Sequence, residues 1–193
     1  MKKINGYFSN QSMKEFTVKG IRDAIDEILL TNIYGVTRWS KLVPRKVNVL
    51  VWRILINRIS TRINLVNKGV DIPSSLCPLC GNSIETCNHI FGQCAVASRL
   101  WSLVTKWLQI APIPLQGPID IIIYIDNMHV SKDKKDIIEA IIYCVWWSIW
   151  KYRNEEVFNN GKNRKEFLFD LIVTQSYMWY SCRCKKKRIS WVE

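Results

Sequence analysis

Glycine and proline are scarce in this chain of 193 residues, at 8 and 6, and acidic residues are outnumbered, with 16 Asp and Glu against 28 Lys and Arg. So little glycine and proline, beside 48% apolar residues, excludes a low-complexity or disordered chain and predicts a packed core. The shortage of acid leaves a net charge of +12 and a pI of about 9.5. Such a surface attracts polyanions, chiefly nucleic acid or acidic membrane, although charge alone carries no sequence specificity. Long hydrophobic runs are absent. The longest, Ile137 to Trp150, contains Glu139 and falls short of the roughly 20 residues that span a bilayer. Met1-Lys2-Lys3 leads into Asn5-Gly6 instead of an apolar stretch, so no secretory leader is expected. Seven cysteines, an odd number, in a chain expected inside the cell argue for metal ligands or free thiols over a disulfide framework.

What is present is aromatic and helical. Nine tryptophans suit a helical core built from large side chains. Residues 1–15 are polar and without period, and Phe16 to Lys19 reads as a short strand or a helix lead-in. Ile21, Ala24, Ile25, Ile28 and Leu29 then recur at helical spacing. Pro44 suits the first turn of a helix whose apolar face is Val47, Leu50, Val51, Ile54 and Leu55, flanked by Trp52 and Ile56. Ser60-Thr61 caps a shorter helix that ends near Gly69. Residues 71–83 are rich in turn formers, and a helix is expected from about Glu85 past Cys94 to Trp107. Ala111 to Gly117, with Pro112, Pro114 and the adjacent Pro118, reads as a linker. Ile121 to Ile125 fits either a short strand or a helix turn. A long helix is expected from Lys132 to Phe158, stopped by Asn159-Asn160-Gly161, and a last one from about Arg164 to Lys187. The expected architecture is all-α, about six helices with an irregular metal-binding loop. It divides into an N-terminal segment over 1–35, a metal-binding domain over 36–110 and a helical extension over 111–193.

The chemistry concentrates in one stretch. Cys77-Pro-Leu-Cys80 is a C-x2-C pair, and His89 and Cys94 follow as H-x4-C. A C-x2-C turn points two thiolates at one centre, and thiolates with imidazole are the donors that Zn²⁺ prefers. Four protein ligands close a tetrahedral sphere and leave no place for water or substrate, which makes the expected single zinc ion structural. Residues 71–84 have few large apolar side chains, so burial cannot order them. Zinc binding, worth about 10–16 kcal/mol in small modules, can. Cys87 lies two residues before His89 and is an alternative third ligand on spacing alone.

These residues resemble a known family. Trp39, Pro44-Arg-Lys-Val47, Trp52-Arg53, the C-x2-C pair, Glu85-Thr-Cys-Asn-His89-Ile-Phe-x-x-Cys94 and Trp101 resemble the zinc-binding domain at the C-terminal end of non-LTR (LINE-type) reverse transcriptases of plants, over roughly Phe16 to Trp107. Trp146 to Phe158 is similar to the helical tail of those polyproteins. The resemblance implies Cys77, Cys80, His89 and Cys94 as the ligands, and so favours His89 over Cys87. It implies that Glu85-Thr86 opens the histidine helix, where a glutamate suits the macrodipole, and that Trp39, Trp52 and Trp101 are core aromatics. The parent enzyme is an RNA-directed DNA polymerase, whose catalysis needs paired aspartates holding two metal ions. Here Tyr124-Ile-Asp126-Asn127 offers one carboxylate in the wrong context, and no endonuclease or RNase H carboxylate set is present. The expectation is therefore a non-enzymatic retroelement fragment without catalytic residues.

Arg45, Lys46, Arg53, Arg58, Arg62 and Lys68 lie beside the metal loop. They suit either the phosphate backbone of RNA or DNA or a solvated helix surface. Arg183 and the run Lys185, Lys186, Lys187 and Arg188 fit a nucleic-acid contact, a nuclear import signal or a charged helix end. Cys144 reads as core, His129 as isolated, and Cys182 with Cys184 as inert. Trp146, Trp147 and Trp150 mark a helix that must bury its aromatic surface, within the chain or on a partner. The expected partners are RNA or DNA and a retroelement polymerase domain, with no membrane and no small-molecule substrate. The expected location is intracellular, the nucleus included. The second reading is a zinc-stiffened platform for another protein, and the third a degraded retroelement copy without a selected function.

Overall fold

The computed structural model describes residues 38–158 and 165–184. The helix expected over Ile21–Leu29 and the basic run Lys185–Arg188 lie outside the described residues, as does Arg164. Within them the chain is all-α: α1 (Arg45–Leu55), α2 (Arg62–Val66), α3 (Ala95–Leu108), α4 (Pro118–Asp126), α5 (Lys132–Phe158) and α6 (Leu168–Arg183). A π-helical turn, His89–Gln93, precedes α3, and a 3₁₀ turn, Lys165–Phe167, precedes α6. The one β feature among the described residues is a bridge between Leu76 and Ile84. No helix among them is long and apolar enough to cross a membrane.

Local chemistry explains several helix ends. α1 follows Pro44, and its buried Asn48 folds the preceding loop back, accepting from the Ser40 N–H and donating to the Ser40 carbonyl, both at 2.9 Å. The Thr61 hydroxyl accepts from the Asn64 N–H and caps α2. Pro118 opens α4, where its missing N–H costs nothing, which resolves Ile121–Ile125 as helix. α3 ends on Gln109 in the left-handed region, at φ 52°.

The centre of the described residues is α5, 27 residues and so about 40 Å long. Every residue from Ile141 to Trp146 is buried, which requires neighbours on all sides. α1, α3, α4 and α6 supply them. Trp146 is 0% exposed, with Tyr143 stacked on it and Phe91 edge-on; Trp147 and Trp150 are half-buried. The aromatic surface of α5 is thus largely covered within the chain. A single core cluster runs from Val43 to Trp179 and includes Ile113 of the proline-rich stretch, so apolar packing continues across the linker expected at 111–117.

Two expectations are corrected. The helix expected from Glu85 through Cys94 is broken: Glu85 and Thr86 are not helical, and Cys94 at ψ 137° separates the π turn from α3. Trp39, expected in the core, is 52% exposed, whereas Trp101 is buried and its indole N–H donates to the Phe91 carbonyl at 2.8 Å.

Candidate metal centre

Three short segments build the site. Residues 75–85 form a narrow ribbon in which the Cys77 N–H donates to Ser83 O at 2.7 Å and the Glu85 N–H to Ser75 O at 2.8 Å. The turn Cys77–Gly81 closes it, with the Gly81 N–H donating to Cys77 O at 2.8 Å. Gly81 has φ +69°, a conformation that side chains with a Cβ rarely adopt. The π turn is the second segment. The Thr86 hydroxyl accepts from the His89 N–H at 3.0 Å, so Thr86, not Glu85, caps this turn. The Cys94 N–H reaches back five residues to His89 O at 2.7 Å. That wider turn places His89 and Cys94 on one side of the chain. Gly92 permits it, since a Cβ there would lie 2.6 Å from the Leu115 carbonyl oxygen. The third segment is the start of α3, where Cys94 is the N-cap.

The result is convergence. The ligand-type atoms of Cys77, Cys80, His89 and Cys94 all lie within 4.8 Å of one another. The Cys77 and Cys94 sulfurs are 3.9 Å apart, and the Cys80 sulfur is 3.3 Å from His89 Nε2. With Zn–S bonds of about 2.3 Å, the edge of a tetrahedron between two sulfurs is roughly 3.8 Å, so the Cys77–Cys94 spacing fits that ion. The donor set of three thiols and an imidazole fits it chemically.

Electrostatics favour the anionic form of one thiol. Cys94 is held below the usual thiol value by the Cys77 hydrogen bond, against burial, and further by the backbone N–H groups of Val96 and Ala97, at a helix N-terminus where negative charge is stabilised. Cys77 is raised by the same hydrogen bond and by burial, while the N–H groups of Leu79 and Cys80 pull it down. Burial lowers His89 and the nearby Glu85 opposes that; a neutral imidazole is the ligating form. Cys87 points elsewhere. It is buried, its sulfur donates to the Ile54 carbonyl at 3.5 Å, and burial pushes its thiol up to about 12.

One residue central to the site was misread from the sequence. Glu85 is 0% exposed. Its Oε1 accepts from Arg153 Nε at 2.7 Å, and its Oε2 accepts from Arg153 Nη2 at 2.8 Å and from the Arg62 N–H at 2.7 Å. Arg153, 4% exposed, also lies over the Trp150 ring at 4.9 Å. A bidentate ion pair thus fastens the ribbon to α5. No local pattern marks Arg153, which lies 68 residues away in sequence.

The basic residues separate into two kinds. Arg62 is half-buried, and its Nη1 donates to Leu76 O at 2.7 Å, which holds the ribbon. Arg45, Lys46, Arg53, Arg58 and Lys68 are exposed. Arg38, not singled out in the sequence, ties α4 to α5 by pairing with Asp126 at 2.7 Å and Glu139 at 2.8 Å. Asp126 is thereby part of a structural ion pair. Cys144 is buried, His129 and Cys182 are exposed, and Cys184 is half-buried.

Residues 17–101 match the family model described as zinc-binding in reverse transcriptase, a segment that contains all four converging side chains. No curated protein and no solved structure matches the chain.

Proposed function

We propose that the chain is a non-catalytic module in which Cys77, Cys80, His89 and Cys94 hold one structural zinc ion, derived from the C-terminal part of a plant LINE-type reverse transcriptase. The convergence of the four ligand atoms within 4.8 Å carries this reading. The match of residues 17–101 to a reverse-transcriptase zinc-binding family supports the origin, and the Glu85-Thr86…His89…Cys94 pattern supports the finer assignment. Bound there, zinc supplies a cross-link between the ribbon, the π turn and α3, with no open coordination position. The chain's own residues do the rest: Thr86 caps the turn, Gly92 lets it approach Leu115, and Glu85 with Arg153 clamps the ribbon to α5.

The same reading assigns the module a contact with RNA or DNA. A net charge of +12 and the exposed Arg45, Lys46, Arg53 and Arg58 support it. Elemental analysis of the purified full chain tests the metal, with one zinc per chain expected; a stoichiometry near zero refutes it. Binding of RNA that weakens steeply with salt tests the second half, and no binding at low salt refutes that half alone. The interaction-platform reading is favoured by one observation, the exposed apolar side chains of Phe167, in the 3₁₀ turn, and of Leu171 and Met178, on α6.

A further inference from the structure

We propose that the groove between α1 and α5 receives an unpaired stretch of nucleic acid, with a base stacked on Phe158 and phosphates held by Lys46, Arg53 and Lys151. The proposal rests on the nucleic-acid half of the reading above and names the surface and the kind of strand.

The groove has a volume of about 400 Å³, within the roughly 300–1,000 Å³ range of sites that enclose a small molecule or a single nucleotide unit. Cations and aromatic rings line it together. Lys46 and Arg53 come from α1, and Trp147, Lys151 and Phe158 from α5. The carboxylate in the lining is Glu155, within 3.8 Å of Lys151. Three cations against one carboxylate leave the groove positive. Lys46 and Arg53 are two helical turns apart, about 10 Å along α1, so they can grip different phosphates of one strand. The Lys46 ammonium sits 5.0 Å above the Trp147 ring, which holds a charge at the wall of the groove. Phe158 is 73% exposed and lines the groove from α5.

The mixture selects the ligand. A duplex presents phosphates but hides the faces of its bases, so it would use the cations and leave Phe158 in water. An unpaired strand uses both, because every base has a face to stack and a backbone to neutralise.

The test uses the zinc-loaded full chain and a fluorescein-labelled 12-nucleotide single-stranded RNA, with its blunt duplex as comparison, read by anisotropy across a salt series. Each variant is checked for zinc content and helical circular dichroism. The single strand should bind more tightly than the duplex. Phe158→Ala should weaken it about tenfold with an unchanged salt slope, since stacking and not charge is lost. Lys46→Gln with Arg53→Gln should shrink the slope of log K against log salt by roughly 1.4, the share of two phosphates. The pair Lys106→Gln and Lys134→Gln, exposed and outside the groove, should bind like the wild type. If both groove variants bind like the wild type, the groove assignment is overturned and the nucleic-acid contact stands. If the wild type binds neither RNA at low salt, both fall. If polyglutamate at equal charge concentration displaces the strand as well as unlabelled RNA does, the groove is a site for acidic protein and the proposal is overturned.

Discussion

Replacing Arg153 by methionine isolates the clamp between the ribbon and α5. In the folded chain the Glu85 carboxylate has no exposure and three donors, two from Arg153 at 2.7 and 2.8 Å and the Arg62 backbone N–H at 2.7 Å. Methionine keeps most of the volume and the contact with Trp150, but it leaves a buried carboxylate with one backbone donor. Breaking a buried pair from one side costs about 3–5 kcal/mol, because the remaining charge keeps its desolvation penalty and loses its compensation. Against a typical total of roughly 5–15 kcal/mol, the loss is a large share of the stability. The second substitution fixes the cause. In Glu85→Gln with Arg153→Met the charge is gone and the amide oxygen still accepts from Arg62, so the double variant should be more stable than Arg153→Met alone by about 2 kcal/mol or more. Urea unfolding of zinc-loaded protein, followed by tryptophan fluorescence, measures both from midpoints at constant slope. A loss below about 1 kcal/mol for Arg153→Met, or a double variant no more stable than the single, would refute the claim that a buried charge pair fastens the ribbon to α5.

Other outcomes follow from the site and the core. Cys77→Ser and His89→Ala should each lower zinc content well below one per chain, whereas Cys87→Ser should retain full occupancy; loss of zinc in Cys87→Ser would reverse the assignment of the third ligand. A strong chelator should unfold the ribbon before the α5–α6 pair, seen in hydrogen exchange as early loss of protection at Cys77 and Glu85; uniform loss across the chain would refute that order. Gly92→Ala should cost about 1–3 kcal/mol by driving a methyl into the Leu115 carbonyl, read as a lowered Tm; an unchanged Tm refutes it. Burial pushes the Cys144 thiol from 9.0 up to about 11. A raised value means that the unfolded chain releases this proton first, so the contribution is complete below pH 9 and fades as pH rises to about 11, at up to about 1.4 kcal/mol per pH unit. Cys144→Ala should flatten the alkaline stability profile over that window, and an identical slope would refute the assignment.

Where the chain's own neighbours decide the structure, the sequence was readable. The start of α5 at Lys132 follows from its polar first turn, and the Thr61 cap from its hydroxyl three residues before Asn64. The convergence of Cys77, Cys80, His89 and Cys94 was readable because C-x2-C geometry is local and His89 and Cys94 follow closely in sequence. Distant partners decide the rest. Periodicity continues a helix through Cys94, but the five-residue hydrogen bond to His89 and the close approach of Leu115 to Gly92 break it. Glu85 looks like an ordinary first-turn glutamate until Arg153 is brought beside it. Trp39 shares the family pattern and the bulk of a core residue, yet half of it faces solvent, and nothing in its immediate neighbours signals that.

The clamp also orders events in time. Glu85 and Arg153 are 68 residues apart, so at about 5–20 residues per second the ribosome releases the arginine roughly 3–14 s after the glutamate. Once Cys94 is made, nine residues into that interval, Cys77, Cys80, His89 and Cys94 are all synthesised, and the carboxylate that will end up dry is still hydrated. The expected sequence of assembly is therefore metal capture first and dehydration second, with α5 closing over a turn that is already cross-linked. A chain stalled on the ribosome between residues 101 and 153 would hold every ligand and still be unable to bury Glu85 as a paired charge.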